Sequence, residues 1–238
     1  MRVILMRLID SLEGLNRVFE TDIIESSIVI VEGVEGTAKS GFVYNLLSNY
    51  LESADKYGVY ITLEQRKESH LANMHSMGIP ISKRLVISDF SEYRQKFEHK
   101  TQDIIGMIET NIMLFKERAG DKFGYFALDS LGALYSLLDL QETPVRKQMY
   151  RFFDALRQEQ LTSFIILEET GIATPGQVLG SEPYIADGII ELGMRRHGGR
   201  FTRDLRVRKM RAAKHSMEPW IFEITPSGVV IREEAKYD

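Results

Sequence analysis

Six short, continuous runs of apolar residues recur along the chain up to residue 192. Each is rich in β-branched or aromatic side chains and has the length of a strand. The runs are residues 28–31, 59–63, 84–88, 124–128, 163–167 and 187–192. Continuous rather than alternating apolarity is typical of strands that are covered on both faces. The pattern therefore predicts a buried, parallel sheet.

Helical periodicity lies between these runs. In residues 102–118 and 144–160, apolar side chains return every three or four positions and form one stripe on each helix. Thr143 and Pro144 resemble an N-cap followed by proline at the first helical position. Alternating strands and helices imply right-handed βαβ units. The predicted class is α/β, with a mainly parallel sheet and helices on both faces.

The pattern changes from about residue 199. Three short strand-like runs, residues 203–210, 219–224 and 228–232, are separated by turns. They predict an antiparallel extension at the C-terminal end of the sheet. We find no internal repeat and no long linker, so residues 1–238 are expected to form a single domain.

A glycine-rich segment joins the first apolar run to a helical pattern. Apart from one position, it fits the signature G-x-x-x-x-G-K-[ST], which between a strand and a helix predicts a phosphate-binding loop. Backbone N–H groups and the helix N-terminus would hold the phosphates, Lys39 would reach the β- and γ-phosphates, and Ser40 would ligate Mg²⁺. The alternative is a glycine-rich turn that only caps a helix. The candidate residues are Gly33, Val34, Glu35, Gly36, Thr37, Ala38, Lys39, Ser40 and Gly41.

One position departs from this signature, since Ala38 stands where glycine is usual. If the backbone there needs a positive φ, alanine costs about 1 kcal/mol or more. If φ is negative, the substitution costs little. The sequence leaves both cases open.

Acidic residues follow three of the predicted strands. Asp129 ends the run 124–128 and is the candidate for holding Mg²⁺, directly or through water, whereas Glu64 ends the run 59–63 and is the candidate base for an attacking water. Glu168 and Glu169 end a third run and are alternative bases. A helix cap is the alternative role for Asp129, and a solvated strand end is the alternative for Glu64.

Composition narrows the function classes. The chain has no cysteine, which excludes disulfides and thiolate chemistry. No apolar run approaches the ~18 residues of a membrane helix, and the apolar stretch near the start is shorter than the roughly 7–15 residues of a signal-peptide core. We therefore expect a cytoplasmic protein with no membrane partner.

Charge is distributed unevenly. Residues 195–214 carry nine of the 30 lysines and arginines and only one acid, although the net charge of the chain is −4. Such a stretch favours a phosphate or an acidic partner, and its alternative is a solvated strand face.

Six motifs in order resemble the KaiC-like branch of the RecA/RadA superfamily of P-loop ATPases, specifically its single-domain proteins common in archaea. They are SLEGLNRVF, EGVEGTAKS, VYITLEQ, YFALDSLGAL, EPYIADGIIEL and the closing region LRVRKMRAAKHSMEPWIFEITPSGVVI. The likeness spans roughly residues 10–232. It implies a RecA-like core that binds ATP and Mg²⁺.

The resemblance also implies assembly and further site residues. The family forms homo-oligomeric rings, usually hexamers, with ATP at subunit interfaces. Lys209 and Arg211 of the K-x-R signature would then reach the γ-phosphate of the neighbouring subunit, and His215 would lie near the same nucleotide. Strand alternation would place Arg208 on the opposite face from Lys209 and Arg211.

Two departures from the family pattern leave the function open. Relatives often have two adjacent glutamates, whereas this chain has Glu64 and Gln65, which predicts slower hydrolysis. Relatives place an aspartate where this chain has Pro226. The sequence thus favours an ATPase that uses Glu64, Lys39, Lys209 and Arg211, and keeps as an alternative an ATP-gated assembly module that regulates an unidentified protein partner.

A recombinase-like protein that handles DNA is the least favoured function. The body of the chain is acidic, and residues 171–183, where a DNA-binding loop would be expected, contain no lysine or arginine. Nucleic acid is therefore not the expected partner.

Overall fold

A computed structural model describes residues 6–90, 103–138, 144–169, 182–197 and 199–235. Nine strands form one sheet in the order β3-β2-β4-β5-β1-β6-β7-β8-β9. They are β1 Ile28–Gly33, β2 Tyr57–Thr62, β3 Leu85–Asp89, β4 Phe123–Asp129, β5 Thr162–Glu168, β6 Gly188–His197, β7 Arg200–Met210, β8 Trp220–Thr225 and β9 Gly228–Glu234. The first six are parallel and the last three are antiparallel, so the predicted sheet and its C-terminal extension are confirmed.

Helices cover both faces of the parallel part, as the alternating pattern predicts. They are α1 Leu15–Val18, α2 Lys39–Ala54, α3 Lys67–Ser76, α4 Ile104–Ala119, α5 Leu131–Leu137, α6 Val145–Gln158 and α7 Glu182–Ile185. Val29 and Val31 of β1 face the cluster that includes α2, whereas Ile28 and Ile30 face the cluster that includes α4 and α6. The central strand is therefore buried on both sides. None of the helices in the described residues is both long and apolar enough to cross a membrane.

The hairpin of β6 and β7 is longer than the apolar pattern predicts. Pairing continues to His197 opposite Arg200, beyond the expected end at residue 192. The extension is polar, and Arg195 of β6 lies 3.2 Å from Asp204 of β7. Just before the extension, Arg206 lies 2.6 Å from Glu191. Cross-strand ion pairs stabilise such a hairpin without an apolar run, which is why hydropathy missed it.

Helix α6 also begins differently from the prediction. Pro144 occupies the N-cap and Val145 is the first helical residue, so the proline lies one residue earlier than expected. Thr143, the predicted cap, is outside the described residues.

The antiparallel extension is joined to helix α2 through a buried asparagine. Asn45 is fully buried, and its side-chain oxygen accepts a hydrogen bond of 2.7 Å from the backbone N–H of Val229. Gly228 has a φ of 99°, and a Cβ there would lie 2.4 Å from the same oxygen. The turn into β9 is thus shaped around this side chain, and the contact fixes β9 against the helix that begins at Lys39.

Replacing Asn45 by alanine should therefore lower the free energy of unfolding by about 2 kcal/mol, because the Val229 N–H is left buried and unpaired. Urea denaturation followed by circular dichroism measures the change. Ser53→Ala on the exposed side of the same helix is the control and should change stability by less than about 0.5 kcal/mol. Equal stability of the two variants would contradict the anchoring role.

Candidate functional site

The acidic and glycine-rich residues predicted from sequence converge at the carboxyl edge of the parallel strands. In the sheet register, Gly33 of β1 lies beside Glu168 of β5, and Thr62 of β2 lies beside Asp129 of β4. Ligands of open α/β sheets bind at this edge. The strand order thus brings one loop and several carboxylates to a common crevice.

The predicted phosphate loop lies between β1 and α2, the strand–loop–helix context that its signature requires. Gly33 approaches β6 so closely that a Cβ would lie 2.1 Å from the carbonyl oxygen of Leu192. The hydroxyl of Thr37 is buried and donates to the carbonyl of Val34 at 2.8 Å. These contacts hold the turn closed at the N-terminus of α2, where backbone N–H groups and the helix dipole favour an anion.

Lys39 is buried inside this loop. Its ammonium donates to the carbonyl oxygens of Gly33 and Val34, at 2.8 and 2.9 Å, and no carboxylate of the described chain lies within ion-pair distance. Burial lowers the pKa of Lys39, while the more distant charges of Glu168 and Asp129 raise it. A buried cation without a contacting counter-ion is a site for an anion such as a phosphate.

The sequence left open whether the backbone at Ala38 has a positive or a negative φ, and the structure shows the positive, energetically costly one. Its φ is 65° and its ψ is 35°, in the left-handed region, immediately before the first residue of α2. The turn therefore carries a backbone strain that glycine would relieve.

Asp129 lies at the end of β4, half-buried in the crevice, and the cap of the following helix is a different residue. Ser130 accepts the hydrogen bond from the N–H of Ala133 that caps α5. The cap alternative for Asp129 is thus not needed. Its Oδ2 atom instead accepts a hydrogen bond of 2.7 Å from the hydroxyl of Tyr60.

The oxygen atoms near Lys39 are suited to a magnesium ion. Ser40 is the next residue along α2 and has a half-buried hydroxyl, and the charge of Asp129 acts on the Lys39 ammonium. A hydroxyl and a carboxylate are hard oxygen donors, which Mg²⁺ prefers in company with substrate phosphates. The donor set therefore fits the cofactor that the loop predicts.

The candidate bases differ in their setting. Glu64 is exposed in a turn closed by Thr62, whose hydroxyl accepts from the N–H of Gln65 at 3.1 Å. Glu168 is exposed at the end of β5, and its charge is the strongest influence that raises the pKa of Lys39. Glu169 acts on Lys39 more weakly. Both the predicted base and its alternatives thus stand at the carboxyl edge.

Lys209 and Arg211 are not brought to the loop of their own chain. Lys209 donates to the carbonyl of Ala186, and Arg211 lies 3.1 Å from Asp187, both beside the start of β6. Lys209 pairs with Ile189 of β6, whereas Gly33 lies against Leu192 of the same strand. Ile189 and Leu192 are three residues apart, which corresponds to about 10 Å along the strand. Burial lowers the pKa of Lys209, and the charge of Arg211 adds to this effect.

Arg208 forms an ion pair with Glu32. The register of β6 and β7 shifts here, because Ile189 pairs with Lys209 and Ile190 pairs with Val207, so the regular alternation expected for Arg208 and Lys209 is interrupted. Glu32 is the residue before Gly33, and burial raises the pKa of its carboxyl. Several arginines of the basic stretch thus form ion pairs with acids of the same chain. These pairs argue against a free phosphate-binding surface made by this stretch. The paired arginines are Arg195, Arg206, Arg208 and Arg211.

His215 lies away from this crevice, against the N-terminal segment. Its backbone forms a bridge with Phe19, the two rings are 6.2 Å apart, and its Nδ1 atom is 2.9 Å from the carbonyl of Ser216. None of these contacts involves the loop.

Sequence reasoning missed two side chains that touch the site. Tyr60 contacts Asp129, and Arg203 of β7 donates to the carbonyl of Gly36 in the loop at 3.1 Å. A signal for Tyr60 existed, because a tyrosine within a buried strand needs a partner for its hydroxyl. Arg203 offered no such signal, since its contact joins residues that are 167 positions apart in the sequence.

Residues 171–181 of the expected DNA-binding segment are outside the described residues.

A family model described as "ATPase: KaiC" matches residues 10–236. A UPF0273 protein from Thermotoga maritima is 28% identical over 229 residues, which cover 92% of each chain. The circadian clock oscillator protein KaiC of Synechococcus elongatus is 24% identical over 212 residues, 85% of this chain and 39% of that protein. The crystal structure of a KaiC-like protein from Pyrococcus horikoshii matches with a TM-score of 0.77, at 24% identity, over 96% of this chain and 99% of the other.

Relieving the strained turn gives a test of the loop geometry. Ala38→Gly should raise the free energy of unfolding by about 0.5–1 kcal/mol, because glycine adopts the left-handed conformation without a Cβ clash. The matched control is Ala72→Gly at an exposed position inside α3, which should lower stability by about 1 kcal/mol. Chemical denaturation measures both. A loss of stability in both variants would refute the left-handed conformation at Ala38.

Proposed function

The chain belongs to the KaiC family of ATPases, and from that premise we propose that it binds ATP with Mg²⁺ in the loop of residues 33–41 and hydrolyses it to ADP and phosphate. The observation that carries the proposal is the buried Lys39 ammonium. It donates to the carbonyls of Gly33 and Val34 and forms no ion pair with any described residue, at an edge where acidic strand ends meet. An incoming phosphate would replace those carbonyls as its partner.

Each residue of the crevice has a role in this reaction. The loop N–H groups and the N-terminus of α2 bind the phosphates, and Lys39 stabilises negative charge on the β- and γ-phosphates. Ser40 and Asp129 hold the magnesium ion, which when bound neutralises phosphate charge. Glu64 accepts a proton from the attacking water, with Glu168 as the alternative base.

We further propose that the nucleotide lies at a subunit interface in a homo-oligomeric ring, a hexamer by resemblance. The position of Lys209 and Arg211, about 10 Å along the sheet from the level of Gly33, supports this. Cations so placed serve the γ-phosphate of a neighbouring subunit more readily than that of their own. His215 would approach the same shared nucleotide.

A second candidate is an ATP-gated assembly module with little or no hydrolysis, acting on a protein partner. The left-handed Ala38 and the presence of Gln65 where a second glutamate is usual favour it. The two candidates share the binding site and differ in turnover.

Single-site variants separate these roles. Lys39→Ala should abolish both ATP binding and phosphate release. Glu64→Gln should reduce phosphate release by about 10²–10⁴-fold, since the proton acceptor is lost, and spare ATP binding. Glu68→Gln on the exposed face of α3 is the matched control and should behave as wild type.

The pattern of results distinguishes the alternatives. Turnover retained in Glu64→Gln but lost in Glu168→Gln moves the base to β5. No turnover in the wild type, together with an ATP-dependent change in oligomer mass by light scattering, favours the assembly module. Turnover that persists in Lys39→Ala contradicts the proposed site.

Mixing two inactive variants tests whether Arg211 acts across the interface. Lys39→Ala lacks a functional loop but keeps Arg211, and Arg211→Ala has the reverse defect. Equal mixing should restore about one quarter of wild-type turnover, because one interface in four then combines an intact loop with an intact arginine. The reference is a mixture of Lys39→Ala with the double variant K39A/R211A, which should stay inactive. No recovery in the first mixture would mean that Arg211 does not act in trans.

A further inference from the structure

Three aromatic rings are packed together beneath Asp129. Tyr60 of β2, Tyr44 of α2 and His70 of α3 are all fully buried. The ring centroid of Tyr60 is 4.6 Å from that of His70 and 5.6 Å from that of Tyr44. The Tyr60 ring is thus held on two sides and cannot turn without moving its neighbours.

Only the Tyr60 hydroxyl has a hydrogen-bond partner among the described residues of this cluster. It donates to Asp129 Oδ2 at 2.7 Å, whereas the Tyr44 hydroxyl and both ring nitrogens of His70 have none. A bond from a buried hydroxyl to a carboxylate is stronger than a neutral one. The orientation of the Asp129 carboxylate is therefore tied to a ring that is itself immobile.

Burial raises the pKa of Tyr60 well above its usual value, and the nearby charge of Asp129 adds to this. Tyr60 thus contacts one of the two residues that the proposed function assigns to magnesium. Partners behind the ligands of a metal orient them, and their loss commonly weakens metal affinity 10–100-fold.

We propose that Tyr60 is a positioning residue for magnesium: its hydroxyl holds one oxygen of Asp129 so that the other faces the nucleotide. This inference rests on the proposed function, because it requires that Asp129 holds the ion. Tyr60 is assigned no contact with the phosphates or the ion and acts only through Asp129.

Tyr60→Phe removes the hydroxyl and keeps the ring, so the packing with Tyr44 and His70 is retained. Tyr44→Phe is the matched control, since it removes a hydroxyl from the adjacent, equally buried residue, and that hydroxyl has no hydrogen-bond partner in the part of the chain that the structure describes. Both variants are made in the full chain. Thermal unfolding without nucleotide establishes that each one folds.

The measurement is a Mg²⁺ titration of each protein with a fluorescent ATP analogue already bound in EDTA. We expect analogue affinity without metal to be equal in all proteins. The Mg²⁺ concentration that gives half of the maximal fluorescence change should rise about 10-fold in Tyr60→Phe. In Tyr44→Phe it should stay at the wild-type value. An unshifted titration in Tyr60→Phe, or equal shifts in both variants, would overturn the positioning role.

Asp129→Asn completes the test. If Tyr60 acts through Asp129, the double variant Y60F/D129N should titrate like D129N alone, because the two changes remove the same arrangement. Additive shifts would show that Tyr60 acts elsewhere. A D129N titration equal to wild type would remove Asp129 from the metal site and Tyr60 with it.

The proposed function can fail separately. If wild-type protein binds no analogue, ATP binding itself is wrong, and the role of Tyr60 falls with it. If the analogue binds with no response to Mg²⁺, nucleotide binding stands and both magnesium assignments are refuted. These outcomes differ from a wild-type response that Tyr60→Phe leaves unchanged.

Discussion

Burial of the Lys39 ammonium at the carboxyl edge of the sheet is the constraint on which the site depends. A buried cation is stable only with partners, and here the carbonyls of Gly33 and Val34 supply them. Those carbonyls are available because Gly33 lies against β6 and the turn closes through Thr37. Burial lowers the pKa of Lys39, while the charges of Glu168 and Asp129 oppose this effect.

The hairpin of β6 and β7 packs against this loop and against the strand that precedes it. Arg203 contacts the loop carbonyl of Gly36, and Arg208 pairs with Glu32 just before the loop begins. Lys209 and Arg211 instead contact Ala186 and Asp187, beside the start of β6. Strand β7 therefore supports the loop of its own chain, whereas these two cations at and after its end are held away from that loop.

Regular apolar patterns made most of the fold predictable. Continuous runs such as residues 28–31 and 163–167 indicated buried parallel strands, which the structure confirms; that these two strands are neighbours is a finding of the structure. The signature around Lys39 located the loop, and Asp129 and Glu64 follow strands that end at the same edge. The polar end of the β6–β7 hairpin escaped this reasoning, because ion pairs such as that of Arg195 with Asp204 depend on which strands are adjacent.

The sequence by itself determined the class of fold and the family and located the candidate phosphate loop, because these depend on local patterns and on motifs in a fixed order. Only the tertiary structure decided the rest. It shows that Ala38 is left-handed and that Lys209 and Arg211 contact Ala186 and Asp187. It also shows that Tyr60 contacts Asp129 across 69 positions of sequence. The physical reason is that strand order and register place such groups together, and neither is visible in the local pattern.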